Sequence, residues 1–242
     1  MIQIDLMLEK QHEMAPIQRT MRLLTFNAYD AHERVPGDDQ GIDTFTMQMF
    51  GINESGETFC LFVEGFQPFF WVRVDERWGE GERLGFKSHL EEHLGARMEG
   101  AVTQCKYHYR KKLYGFDGES YHKFMVVKFR SVRAMNKAKN LWYETFRGNR
   151  KLKRNGYFYE GAQSHLELYE ANIPPLLRYF HIQEISPSGW VAIPSKSAKL
   201  HTRKTTTCKY EYTVQYNKLI PLPDKETRVP YKICSFDIEA SS

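Results

Sequence analysis

Two acids near the end of the chain, Asp237 and Glu239, are the residues best spaced for chemistry. They stand in Tyr231-Lys232-Ile233-Cys234-Ser235-Phe236-Asp237-Ile238-Glu239-Ala240, where Ile233, Cys234, Phe236 and Ile238 predict a buried strand over residues 231–238. Side chains two apart in a strand point to one face, so the two carboxylates would converge. Acids brought together in a buried setting repel each other unless a cation lies between them. Mg²⁺ or Mn²⁺ suits such hard oxygen ligands. D-x-E alone is a common tripeptide, and the same spacing also fits a solvated strand end or a frayed terminus.

Cations form three further groups. Arg147-Gly148-Asn149-Arg150-Lys151-Leu152-Lys153-Arg154 carries five in eight residues. The segment is expected just past a helix, where cations are favoured. It reads either as a solvated cap or as a contact to nucleic-acid phosphates or a nuclear-import patch. In Lys106-Tyr107-His108-Tyr109-Arg110-Lys111-Lys112, alternation sets Lys106, His108 and Arg110 on one face of a strand. Tyr107 and Tyr109 then lie on the other, where they pack in the core or stack on bases. The third group is the loop from Lys196 to Lys209, with Lys199, Arg203 and Lys204. His89-Leu90-Glu91-Glu92-His93 matches H-x-x-E-H, whose histidines share a helix face and can hold zinc. No third ligand is identifiable downstream, so a zinc centre is not expected.

The whole chain has 242 residues, with 34 Lys plus Arg against 30 Asp plus Glu for a net charge of +4. Hydrophobic residues are 41% and aromatics 14%, enough for a core and against a disordered chain. No apolar run approaches the ~18 residues of a membrane helix, so no membrane partner is expected. Residues 1–10 lack the basic start and small-residue cleavage site of a secretory signal. Asn53-Glu54-Ser55 matches a glycosylation acceptor but reads as a turn. The four cysteines are far apart, with no C-x-x-C pair, which suits a reduced, intracellular protein.

The elements that must position these residues follow from periodicity and turn signals. Residues 1–42 are weakly patterned and end in the turn-forming Pro36-Gly37-Asp38-Asp39-Gln40-Gly41. Residues 44–50 and 58–63 predict a hairpin turning at Asn53-Glu54-Ser55-Gly56. A strand over 69–74 precedes a helix over 82–94, with Leu84, Leu90 and Leu94 on one side. Strands over 102–109 and 121–129 follow, then a helix over 132–146 and a strand over 165–169. That order is the split βαβ, ferredoxin-like arrangement of RNA-recognition modules, placed at residues 66–170. Further strands are expected at 181–185, 190–193, 208–216 and 231–238, with the Pro-rich 220–224 as a linker. The fold class is α+β and β-rich.

Taken together, the motifs resemble the N-terminal region of family B DNA polymerases. Phe236-Asp237-Ile238-Glu239-Ala240 is similar to the first exonuclease motif of that family. Phe50-Gly51, then Gly65-Phe66-Gln67-Pro68-Phe69-Phe70-Trp71-Val72, resembles the "GF-x-PYFYV" segment. Tyr114-Gly115-Phe116 and the strand to Phe129 look like the "YGF" strand that follows. Tyr169-Glu170-Ala171-Asn172-Ile173, Leu177-Arg178-Tyr179-Phe180 and Gly189-Trp190-Val191 resemble "YE-x-NI…LRF…GW". The likeness runs over residues 43–242 and is nearest to the delta-type enzymes and those of large eukaryotic DNA viruses.

The resemblance implies an N-terminal segment at 1–42, a polymerase N-terminal domain at 43–228, and the first strand of an RNase H-like exonuclease domain at 229–242. It implies that Asp237 and Glu239 bind the catalytic Mg²⁺ or Mn²⁺ of 3′→5′ proofreading. Lys106, Arg110, Arg150, Lys151, Lys153, Arg154, Arg203 and Lys204 become the expected DNA contacts. Primer–template DNA, the remaining exonuclease and polymerase domains and a sliding clamp become the expected partners, in a nucleus or an infected host cell. Two catalytic metals need more ligands than two carboxylates supply. These 242 residues are therefore expected to be a fragment with neither activity alone. The rival reading is a stand-alone nucleic-acid-binding module on the ferredoxin-like core.

Overall fold

Apolar alternation and turn residues divide the chain into β1 (Ile17–Glu33), β2 (Ile42–Ile52), β3 (Thr58–Glu64), β4 (Phe69–Arg73), α1 (Glu80–Leu94), β5 (Val102–Lys111) and β6 (Tyr121–Phe129). After them come α2 (Val132–Lys139), β7 (Tyr143–Phe146), β8 (Asn149–Leu152), β9 (Tyr157–Tyr159), β10 (Ser164–Tyr169) and α3 (Pro175–Gln183). The last elements are β11 (Trp190–Pro194), β12 (Ala198–Leu200), β13 (Tyr210–Gln215) and β14 (Ile220–Leu222). This is a computed structural model, and it describes residues 17–33, 41–112, 118, 120–235 and 237. The chain forms two units. One takes Ala28–Met47 and Glu64–Ile182; the other takes Met14–Asn27, Gln48–Val63 and Gln183–Ser242.

In the first unit five strands form a sheet in the order β5-β6-β4-β10-β9, antiparallel throughout. Phe70 lies opposite Val127 and Val72 opposite Met125, and all four are fully buried. Phe86, Leu90 and Leu94 of α1 join them at helical spacing, as do Ala134, Met135 and Ala138 of α2. Leu84, expected on this packing side, is instead exposed, because Phe86 starts the buried stripe. Fully buried Trp142 donates its indole N–H to the Leu166 carbonyl at 2.7 Å, so its polar atom is satisfied inside the core. The start of α2 is doubly capped. Ser131 Oγ accepts from Ala134 N at 3.1 Å, and the Asp30 carboxylate accepts from Val132 N and Arg133 N, both at 2.8 Å.

Three expectations change here. The helix expected over 132–146 stops at Lys139, and a short 3-10 turn carries the chain to Trp142. Tyr143–Phe146 then pairs with Asn149–Leu152, because Arg147 (φ 49°) and Gly148 (φ 77°) make a two-residue turn with both φ values positive. The strand expected over 181–185 is the end of α3, opened by Pro175 and anchored by buried Arg178, Tyr179 and Phe180. Weakly patterned residues 17–33 form the long strand β1.

The second unit is built on a seven-stranded sheet in the order β12-β13-β3-β2-β1-β11-β14. Its interior holds Met21, Leu23, Met49, Phe59, Leu61, Val191, Ile193 and Val214. The hairpin between β2 and β3 closes as the turn residues predict. Asn53 Oδ1 accepts from Ser55 N at 3.0 Å and Glu57 N at 2.8 Å, and Gly56 takes φ 78°. The expected Pro-rich linker is the edge strand β14, with Pro221 opposite Val191. Proline is tolerated there because an edge strand has one unpaired side.

Candidate metal-binding and nucleic-acid contact residues

The C-terminal segment differs most from expectation. Residues 231–235 and 237 are not in a strand, and Ile233 is 91% exposed. A strand exists only where a neighbouring strand takes up its backbone groups, and among the described residues none pairs with this one. Asp237 is exposed, while Glu239, with Phe236 and Ile238, lies outside the described residues. No group of three or more His, Cys, Asp or Glu able to hold a metal occurs among the described residues.

The segment carrying Arg150, Lys151, Lys153 and Arg154 is the hairpin β7–β8 and its exit, not the end of a helix. Seven of the eight strand positions, from Glu144 to Leu152, face solvent, and Phe146 at the turn is 52% exposed. Cations and rings interleave: Arg147 and Lys151 lie 5.3 and 5.1 Å from the Phe146 ring, Arg150 lies 4.1 Å from Tyr143, and Lys153 lies 5.3 Å from Tyr157. At the base, Lys153 N–H donates to the Trp142 carbonyl at 2.8 Å. The result is a protruding basic ribbon that carries aromatic surface.

Lys106 and Arg110 belong to β5 and are not brought to that ribbon by strand pairing. Lys106 is exposed and Arg110 half-buried, with half-buried His108 between them edge-on to Trp71 at 5.4 Å. Tyr107 packs against the core and donates its hydroxyl to the Gly79 carbonyl at 2.8 Å, whereas Tyr109 is exposed. The neighbouring Lys128 has its pKa lowered by burial and by the charge of Lys106. Arg203 and Lys204 lie in the other unit, in the loop before β13. That loop is held by Glu211, a fully buried carboxylate that accepts from Thr205 N through both oxygens at 3.0 Å and also from Thr206 N. Burial would raise its pKa, but the hydrogen bonds from Thr206 and Thr205 outweigh this and hold it below the ordinary value. Lys204 Nζ donates to the Cys208 carbonyl at 2.8 Å, and Arg203 is exposed in the same loop.

Of the H-x-x-E-H histidines, His89 takes a packing role. His89 Nε2 is 2.7 Å from the Tyr157 hydroxyl, and its ring stacks on Phe86 and Tyr157. Burial, the largest influence, lowers its pKa. One basic group escaped the sequence reading altogether: Arg97, Arg130, Arg133 and Lys137 line one concavity of the first unit. Two stretches supply them, Arg97 on one and Arg130, Arg133 and Lys137 on the other, so the fold is needed to bring the set together.

Residues 166–242 match the family model for the exonuclease domain of DNA polymerase family B. The chain is 42% identical to a DNA polymerase of Phaeocystis pouchetii virus over 235 residues, covering 93% of this chain and 22% of that protein. It is 24% identical to the DNA polymerase delta catalytic subunit of Schizosaccharomyces pombe, covering 89% of this chain and 19% of that one. These likenesses mark residues 166–242 as a family B exonuclease-domain region. Its fold is similar to that of the family B DNA polymerase from the archaeon Pyrobaculum calidifontis, at a TM-score of 0.54 and 16% identity over 88% of this chain and 21% of that one. The chain spans about a fifth of the length of these relatives. The matched exonuclease stretch begins within β10 and takes in α3, β11 to β14 and Asp237. The kinship to viral and delta-type enzymes agrees with the motifs.

Proposed function

We propose that these residues are the N-terminal part of a replicative DNA-directed DNA polymerase with a 3′→5′ proofreading exonuclease. The observation that carries this reading is the match to the exonuclease-domain model over 166–242, joined to a viral polymerase likeness over 93% of the chain. Asp237 and Glu239 supply part of a divalent-metal centre completed by acids elsewhere in a longer enzyme. They would help hold Mg²⁺ or Mn²⁺, which when bound would supply positive charge for hydrolysis of the primer end. The first unit's β4-α1-β5-β6-α2-β10 succession, with sheet order β5-β6-β4-β10, supports reading residues 66–170 as a ferredoxin-like subdomain.

In this reading residues 43–228 frame the template side. Lys106, Arg110, Arg150, Lys151, Lys153, Arg154, Arg203 and Lys204 contact primer–template DNA through phosphates, and exposed Tyr109 and Phe146 give bases a surface to stack on. The remaining exonuclease and polymerase domains are the intramolecular partners, a sliding clamp is an external one, and the enzyme works in a nucleus or an infected host cell. The 242-residue chain alone digests no DNA. The deciding experiment compares this chain with a gene product that extends beyond it. The longer protein digests a primer 3′ end in the presence of Mg²⁺, and Asp237→Ala abolishes digestion while leaving nucleotide incorporation intact. Digestion by the short chain, or a longer protein indifferent to Asp237→Ala, would refute the assignment.

A further inference from the structure

We infer that the concavity beside α2, lined by Arg97, Arg130, Arg133 and Lys137, is an anion site that grips the phosphates of a single DNA strand. The cavity encloses about 580 Å³, room for more than one phosphate group. Arg133 and Lys137 are four residues apart on α2, so they rise from one face of the helix. Arg97 comes from the short 3-10 turn after α1, and Arg130 immediately precedes the helix cap Ser131. The backbone brings these stretches together, since Arg130 N–H donates to the Ala101 carbonyl at 2.9 Å.

Two of the four cations are held in place without being neutralised. Arg130 Nη2 donates to the Glu99 carbonyl at 3.2 Å, and Lys137 Nζ donates to the Leu94 carbonyl at 2.7 Å. A carbonyl orients a cation but leaves its full charge, so these groups lose little freedom when an anion arrives. The Nε of Arg130 is buried with no hydrogen-bond acceptor, a donor left over after the internal bonds are made. Among the described residues the one carboxylate lining the cavity, Asp43, is shared between His32 at 2.9 Å and Arg133 at 3.7 Å. It offsets at most one of the four positive charges. The end of α2 itself is not available, because the Asp30 carboxylate already takes its first two N–H groups. The side chains therefore do the binding.

Phosphate chemistry matches this set: arginine forks meet tetrahedral oxyanions two bonds at a time. The choice of a DNA strand as the source rests on the family B reading. Free polyphosphate is the alternative source of the same chemistry.

The test uses the 242-residue chain and a fluorescent 12-nucleotide oligo-dT, with affinity read by anisotropy between 50 and 200 mM NaCl. Removing one phosphate-binding cation lowers the log–log salt slope by roughly 0.7 on a single strand. The Arg97→Gln, Arg133→Gln double variant is expected to bind about tenfold more weakly at low salt, with a slope shallower by about 1.4. Neither residue is buried, and circular dichroism with a melting curve confirms the fold. A control that removes the same charge, Lys87→Gln with Lys218→Gln, is expected to change affinity by less than about twofold. Equal weakening in the two double variants would overturn the site as a specific one. Tripolyphosphate supplies the other arm. If it binds the parent chain but not the Arg97→Gln, Arg133→Gln variant, while oligo-dT binds both equally, the strand assignment falls. None of these outcomes depends on exonuclease activity, so they stand apart from the test of Asp237.

Discussion

The Arg178 guanidinium is clamped onto Glu170, with Nη1 2.8 Å from the carboxylate and Nη2 2.7 Å from the same residue's carbonyl. Arg178 is only 3% exposed, and its other side lies over the Phe69 ring at 4.2 Å. Glu170 reaches this position from φ 56°, a strained backbone conformation that the pair holds in place. Breaking a buried pair from one side leaves an uncompensated charge. Arg178→Met and Glu170→Gln are each expected to cost about 3–5 kcal/mol in urea unfolding. The double variant should cost clearly less than the sum, because neither charge is then left alone.

Glu211 ties the basic loop of Arg203 and Lys204 to β13. Glu211→Gln keeps the shape but weakens the bonds to Thr205 and Thr206, and should cost about 1–3 kcal/mol. The folded-state pKa of Glu211 is lowered, so its stabilisation is complete above the unfolded carboxylate pKa and fades as pH falls through the folded one. A melting-temperature series should therefore show the parent losing its advantage over the variant below about pH 4.

Gly51 lies in the Phe50-Gly51 pair of the family resemblance, and its place has a steric cause. A Cβ there would meet the Arg22 carbonyl oxygen at 2.4 Å and Met21 Cε at 2.8 Å. A backbone oxygen cannot step aside as a side chain can. Gly51→Ala should destabilise the second unit by about 1–3 kcal/mol, measured by denaturant unfolding.

His89 and His108 both have lowered pKa values, with burial the leading cause. The unfolded chain therefore takes up these protons at a higher pH than the folded one. Stability is full above the unfolded histidine value near 6.5 and declines as pH drops below it. His89→Gln, which can still bond Tyr157, should flatten that decline. Stoichiometric zinc in the purified protein, absent from a His89→Ala, His93→Ala variant, would contradict the packing role of His89.

Local signals were legible wherever the stabilising partner is close in sequence. The β2–β3 turn follows from Asn53 and Gly56 alone, and the α1 stripe was misplaced only at Leu84. The end of α2 was hidden because the helical period persists as far as Trp142, while the Arg147-Gly148 turn lies beyond it. The strands β1 and β14 take their character from β11, which no local pattern reveals. Residues 231–235 show the converse, an apolar run that reads as a strand but finds no pairing partner among the described residues. Asp237 and Glu239 were legible as a motif, whereas Arg97 joins Arg130, Arg133 and Lys137 only through the tertiary fold.

The register of β1 has a consequence for synthesis. Arg19 pairs with Ile193 and Met21 with Val191, so β1, flanked early by β2, waits for its other neighbour β11 long after it has itself left the ribosome. At roughly 5–20 residues per second the delay is on the order of 10–35 s. The five-stranded sheet, complete by Tyr169, has no such debt to later residues. Nascent chains halted before Trp190 should thus protect β4 to β10 from protease more strongly than β1, which then has only β2 beside it.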